Sequence, residues 1–351
     1  MCRLLAFLLS TLCFAGPALA QHENDTSAAS YELGHGWQVP GTGFRLGGYS
    51  TVELQNDKHQ PWSTGISDLS LIVTWEGDGK LKLFSESNLE NALTYEQGSL
   101  LTSKHTYLEL ERLYADYLYS EHVNLRVGKY LTPIGRWNVI HASPLVWTTS
   151  RPLITEETFP TNATGAMLYG TLPTPGHDID YSVFTALGKD WRTDPKINPF
   201  KQAYGLHINL PTSSIGEFGF SYASFQQEGA TEALEGIIGE HKNLIGFDYF
   251  WTQNRYELTA ELAYRFTNKR RISEEKGLFV QGVAPLSERW YAIGRYEWYN
   301  KVGPAPAMQL GVLGLAMHLT PAMIFKAEYS SATNNHIQAP EGLFTSFSVL
   351  F

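Results

Sequence analysis

Charge is scarce in this chain. Of 351 residues, 17% are charged, against about 25% in an ordinary soluble protein. Cysteine is nearly missing: Cys2 and Cys13 are the two present, both within the first 20 residues. A small secreted domain stapled by disulfides is therefore excluded. Beyond the N-terminus there is no long apolar run. A membrane-spanning helix needs about 20 such residues, so a helical membrane bundle is excluded too. No segment keeps an i, i+3, i+4, i+7 apolar stripe, which leaves little room for amphipathic helices. The 11 histidines are scattered without metal-ligand spacing, so no metal and no cofactor are expected. Basic residues number 26 against 35 acidic, a net charge of −9, and nucleic acid is not an expected partner.

What the chain does have is aromatic side chains, 13% of the total, at a mean hydropathy of only −0.21. That excludes disorder, which goes with few aromatics and much charge. The first 20 residues read as a signal peptide. Arg3 supplies the positive end, Leu4 to Phe14 the apolar core, and Ala18-Leu19-Ala20 a small-residue cleavage site. Residues 21–43 are polar, Gly-rich and without period, and read as a periplasmic lead-in.

From Phe44 onward the signal is alternation with period two, which means strands. Tyr256, Leu258, Ala260, Leu262, Tyr264 and Phe266 make one apolar face, with Glu257, Thr259, Glu261 and Arg265 opposite. Sixteen such runs are predicted: 44–54, 67–75, 80–88, 107–118, 123–130, 164–172, 178–188, 203–210, 217–225, 243–252, 255–267, 277–284, 289–300, 309–319, 323–331 and 343–351. In 107–118 the parity changes midway, which predicts a β-bulge near 111–113. Runs 277–284 and 309–319 do not show which face is which.

Connections alternate. After every second run they are short and carry turn residues such as Pro173-Thr174-Pro175-Gly176 and Gln253-Asn254. The others are longer. A meander with short turns at one end and long loops at the other is the pattern of a transmembrane barrel. The faces agree. The apolar faces are too extensive for one small interior, and the polar faces too charged for a packed core. Lipid outside and water inside satisfies both, and the sheet must close to pair its backbone in lipid. Sixteen strands leave an aqueous lumen. Tyr117, Tyr119, Trp251, Tyr256, Trp290 and Trp298 fall near strand ends, where amphipathic rings meet lipid headgroups. The expected fold is thus an all-β, antiparallel up-and-down barrel of 16 strands over 44–351, lodged in the outer-membrane lipids.

Two resemblances add to this. The last run, ending at Phe351, resembles the closing strand of Gram-negative outer-membrane proteins. The passage Leu125-Arg126-Val127-Gly128-Lys129-Tyr130-Leu131-Thr132-Pro133-Ile134-Gly135, with the preceding Glu111-Arg112-Leu113-Tyr114-Ala115-Asp116-Tyr117, resembles the phosphate-selective porin family. The likeness covers about residues 109–135. It implies an outer-membrane channel, with a homotrimer as the usual assembly. In general porins of this strand number the third long loop folds into the barrel. Here the third long connection is 131–163, the longest of all. By that resemblance its Arg136, His141, Arg151, Glu156 and Glu157 would set the constriction, with charges of both signs across it.

Taking polar parity as inward, the wall carries Arg45, Lys82, Arg112, Arg126, Arg265, Arg295 and Lys326. Against them stand Glu53, Asp68, Glu86, Glu109, Glu111, Asp116, Asp180, Glu217, Asp248, Glu257, Glu261, Glu297 and Glu328. Phosphate selectivity needs a basic wall, and this one has an acidic surplus. The expectation is therefore passive diffusion of small hydrophilic solutes or ions, weakly cation-preferring or unselective, without catalysis. Two rivals stand beside it. His141-Ala142-Ser143 places a base near a hydroxyl, as a lipid hydrolase would need. A barrel that binds a partner and does not conduct would share the same pattern.

Overall fold

A computed structural model describes residues 30–77, 79–140, 142–188, 198–212, 215–228, 241–267, 274–301 and 305–351. The predicted signal peptide lies outside these. All sixteen runs are strands. They are β3 (Phe44–Asp57), β4 (Ser63–Glu76), β5 (Leu81–Glu96), β6 (Tyr107–Leu118), β7 (Asn124–Leu131), β8 (Asn162–Thr174), β9 (His177–Ala186) and β10 (Phe200–Thr212). They continue as β11 (Gly216–Gln227), β12 (Lys242–Gln253), β13 (Tyr256–Thr267), β14 (Glu275–Pro285), β15 (Trp290–Asn300), β16 (Met308–Thr320), β17 (Met323–Thr333) and β18 (Gly342–Leu350). Each pairs antiparallel with its neighbours in sequence, and β18 pairs with β3 from Gly342↔Asp57 to Leu350↔Tyr49. The sheet is a closed barrel of sixteen strands, with no edge left to expose unpaired backbone.

Alternation sorts the side chains. On β16, Val312 is 1% exposed and its neighbour Leu313 is 73% exposed. The outward set (Leu69, Leu71, Val127, Val183, Phe247, Leu313) is apolar around the barrel. The inward set on β3–β6 is polar and charged. The bulge lies at Glu111: Glu86 pairs with Arg112 and Ser87 with Leu110, so Glu111 is extra and both it and Arg112 point inward. A second bulge at Ser67 was not foreseen. It reverses the parity of β4, which is why the periodic reading stopped there while the strand runs on to Ser63.

The lead-in is not irregular throughout. Tyr31–Glu32 (β1) and Gly36–Gln38 (β2) form a hairpin. Strand β18 leaves β3 at Tyr49, and β2 takes up the next free length of it through Trp37↔Leu46 and Gln38↔Arg45. Gly36 has φ +76°, and a Cβ there would meet the Leu46 carbonyl oxygen at 2.2 Å. Only glycine fits so close an approach. A hairpin this short carries no readable period, so sequence reading missed it.

The undecided runs are now explained. Strands β14 and β16 carry Phe279 and Val283, and Leu310 and Val312, on the inner face as well. Phe279, Leu310 and Val312 pack beneath the long segment between β7 and β8, with Trp137, Leu153 and Ile154, and Val283 belongs to a neighbouring cluster against which Trp147 of that segment packs. Both faces are apolar because one belongs to the outward apolar surface of the barrel and that segment covers the other.

Candidate functional site

Residues 132–161 turn inward and lie against the wall. The segment holds two short helices, α1 (Trp137–Ile140) and α2 (Leu153–Glu157), and a 3-10 turn at Ser143–Leu145. Helices this short leave most of their amides without internal partners. Wall carboxylates accept them. Glu261 takes the amides of Arg136 (3.0 Å) and Trp137 (2.6 Å). Glu328 takes those of Thr149 (2.9 Å) and Ser150 (2.8 Å), and Glu297 that of Leu153 (2.7 Å). Wall cations take the carbonyls. Lys326 Nζ donates to Ser143 O (2.9 Å) and Thr148 O (3.2 Å), and Arg265 to Thr158 O (3.0 Å). Arg295 donates to Thr148 Oγ1 (2.6 Å) and Ser150 O (2.9 Å), and pairs with Glu297 at 2.7 Å. Arg265 also pairs with Glu275.

So six predicted wall residues, Glu261, Arg265, Arg295, Glu297, Lys326 and Glu328, hold the segment in place. Several others are neutralised locally. Arg45 pairs with Glu32 (3.1 Å), Lys82 with Glu76 (2.8 Å) and Glu86 with Arg112 (2.5 Å). Arg126 pairs with Asp116 (2.8 Å) and lies over the Tyr114 ring at 3.8 Å. Asp248 is 3.8 Å from His207, and Glu257 meets Trp147.

The segment's own charges part company. Arg136 turns to the far wall, pairing with Glu217 at 2.6 Å over the Phe250 ring. Glu157 pairs with Lys301 at 3.6 Å. His141 lies outside the described residues. Arg151, over the Trp137 ring at 5.0 Å, and Glu156 face an open passage.

That passage is a cavity of about 380 Å³ between the segment and the wall of β3–β6. Glu53, Asp68, Glu90, Glu109 and Glu111 line its wall side, and Glu156 and Arg151 the segment side. Sequence reading missed Glu90 because it ended that strand at residue 88. The parity of Glu86 and Asn88, carried two residues further, would have found it. Enclosure by the surrounding protein pushes the Glu156 carboxyl up to about 7. Arg151 and Arg295 oppose the shift, and Glu157 and Glu297 add to it.

No family model matches the chain. An uncharacterized protein of Aquifex aeolicus is 24% identical over 338 residues, 82% of this chain and 75% of its own length. Among solved structures, Salmonella typhi OmpF in complex with daunomycin superposes with a TM-score of 0.59 at 10% identity, over 89% of this chain and 98% of that one. The outer membrane channel DcaP of Acinetobacter baumannii gives 0.57 at 10% identity over 88% and 97%. An anion-selective porin from Comamonas acidovorans gives 0.54 at 11% identity over 88% and 97%. At such identities the likeness is one of fold: this chain has the barrel fold of outer-membrane porins.

Proposed function

We propose that the protein is an outer-membrane porin through which small hydrophilic solutes and ions diffuse passively, cations ahead of anions. The observation that carries this reading is the passage between the 132–161 segment and β3–β6. Six carboxylates line it, with Arg151 the cation among its lining residues. Carboxylate-lined pores concentrate cations and repel anions. The segment sets the size limit. On the segment side Arg151 faces the wall carboxylates as an opposed charge and Glu156 as a like one.

The same charges argue against phosphate as the solute. Arg112 and Arg126, in the stretch that resembles phosphate-selective porins, are already paired with Glu86 and Asp116. In this reading the signal peptide exports the chain, and lipid covers the outward apolar residues. The long connections face outside and the β1–β2 hairpin the periplasm. Assembly is as a homotrimer.

The test is the zero-current potential of the refolded protein in a planar bilayer under a KCl gradient. The sign for cation preference is expected, and the anion sign would overturn the selectivity. A complete lack of open-channel steps would favour the non-conducting rival and refute the porin reading. The hydrolase reading is weaker. The Ser143 hydroxyl donates to the wall carboxylate of Asp68 at 3.1 Å.

Glu156 gives the pore a pH dependence. With its carboxyl raised to about 7, it is neutral below that pH and charged above it. Cation preference is expected to strengthen between about pH 6 and pH 8, and Glu156→Gln to flatten the change. A wild-type potential that does not vary over this range would contradict the assignment.

A further inference from the structure

The acids of the passage form a row across four adjacent strands: Glu53 on β3, Asp68 on β4, Glu90 on β5, and Glu109 and Glu111 on β6. Asp68 and Glu90 are directly opposed in register. Facing carboxylates repel unless a proton or a cation lies between them. Beside Glu90 on the same face is Asn88, opposite Glu109 in register. Asn88 lines the cavity and is 2% exposed. Its amide nitrogen donates to Tyr49 Oη (3.4 Å), while its Oδ1 has no hydrogen-bond partner among the described residues. A buried carbonyl oxygen left unpaired costs about 1–3 kcal/mol. Here it points to a hydrogen-bond donor that occupies the passage from outside the chain.

The donor is not a compact metal ion: among the described residues, no three acidic, His or Cys side chains converge to hold one. The acids are spread along the row, at about 4.8 Å per strand, comparable to the separation of amines joined by about three or four methylenes. Tyr49, Tyr107 and Trp137 line the same cavity and offer faces to methylenes and ammonium groups. Two cations lie close by. Arg151 is on the segment side, and Lys326 feels Glu53 and Asp68 while bonded to the segment's carbonyls. The carboxylates outnumber them.

We propose that the passage binds and admits linear diamines and polyamines. Successive ammonium groups would rest on the carboxylate row from Glu53 to Glu109, with one N–H donated to Asn88 Oδ1. Resting on the reading of this passage as the conducting route, the inference names the solute class for it.

The experiment adds putrescine, spermidine or Mg²⁺ to single channels in a planar bilayer and records the blocked fraction. Spermidine is expected to block best, then putrescine, then Mg²⁺ at the same charge and concentration as putrescine. Asp68→Asn with Glu90→Gln is expected to raise the half-blocking putrescine concentration by about tenfold. Glu109→Gln, outside the opposed pair, is a second variant should the first refold poorly. Channels that open normally but respond alike to putrescine and Mg²⁺ would overturn the inference and leave the porin reading intact. Should no channels open, the porin reading fails. Titration calorimetry of the refolded barrel with spermidine then decides the site, and no heat of binding overturns it.

Discussion

Replacing Glu297 and Glu328 together by alanine is expected to raise the single-channel conductance sharply, on the order of twofold, because a segment released from the wall no longer narrows a sixteen-stranded lumen. The two carboxylates accept the amides of Leu153, Thr149 and Ser150. A hydrogen bond to a charged group contributes about 1.5–3 kcal/mol. Glu297 also neutralises Arg295, whose side chain is fully buried. Removing one partner of a buried pair costs about 3–5 kcal/mol, since the other charge is left uncompensated. Arg295 can escape that cost by displacing the segment above it and reaching water. The barrel itself keeps its backbone ladder, so the variant should refold with an unchanged strand signature by circular dichroism. Glu86→Ala, on the wall but away from these tethers, should leave the conductance near wild type. An unchanged conductance in the double variant would show that Glu261 and the apolar contacts of Trp137, Leu153 and Ile154 suffice to hold the segment.

The same geometry shows what sequence reading could reach. The sixteen strands were legible because the two faces of the sheet make opposite demands on alternate residues, as at Glu261 and Leu262. The bulge at Glu111 was legible because a parity change left a trace on both of its sides. The hairpin of β1 and β2 was not, since strands of two and three residues carry no period. The direction of wall residues was legible, but not their employment. Nothing in the alternation of Glu297 or Lys326 says whether the side chain meets water or a loop amide. That depends on how the 132–161 segment folds back, a long-range event with no local signal. The six tethers and the cavity-lining carboxylates of β3–β6 therefore looked alike in sequence, and only the packing separates them.

That separation makes the second prediction specific. The triple variant Asp68→Asn, Glu90→Gln, Glu109→Gln is expected to lose at least about half of the wild-type zero-current potential, since the charges that bias a pore are those facing its open water. The matched triple variant Glu32→Gln, Glu76→Gln, Glu86→Gln, drawn from paired acids off the passage lining, should change it little. Salt provides an independent check. At about 0.1 M KCl the Debye length is roughly 10 Å, enough for a carboxylate row to act across a passage of this size, whereas at about 1 M it is roughly 3 Å. Wild-type cation preference should therefore be strong at low salt and fade at high salt, while the passage-side variant should be weakly selective at both. Selectivity carried by the far wall would behave differently. The passage-side variant would then keep its potential, and substitutions at Asp248 and Glu257 would remove it. The two outcomes assign the conducting route to opposite sides of the segment, and the route proposed here runs past the carboxylates lining the cavity of about 380 Å³ beside β3–β6.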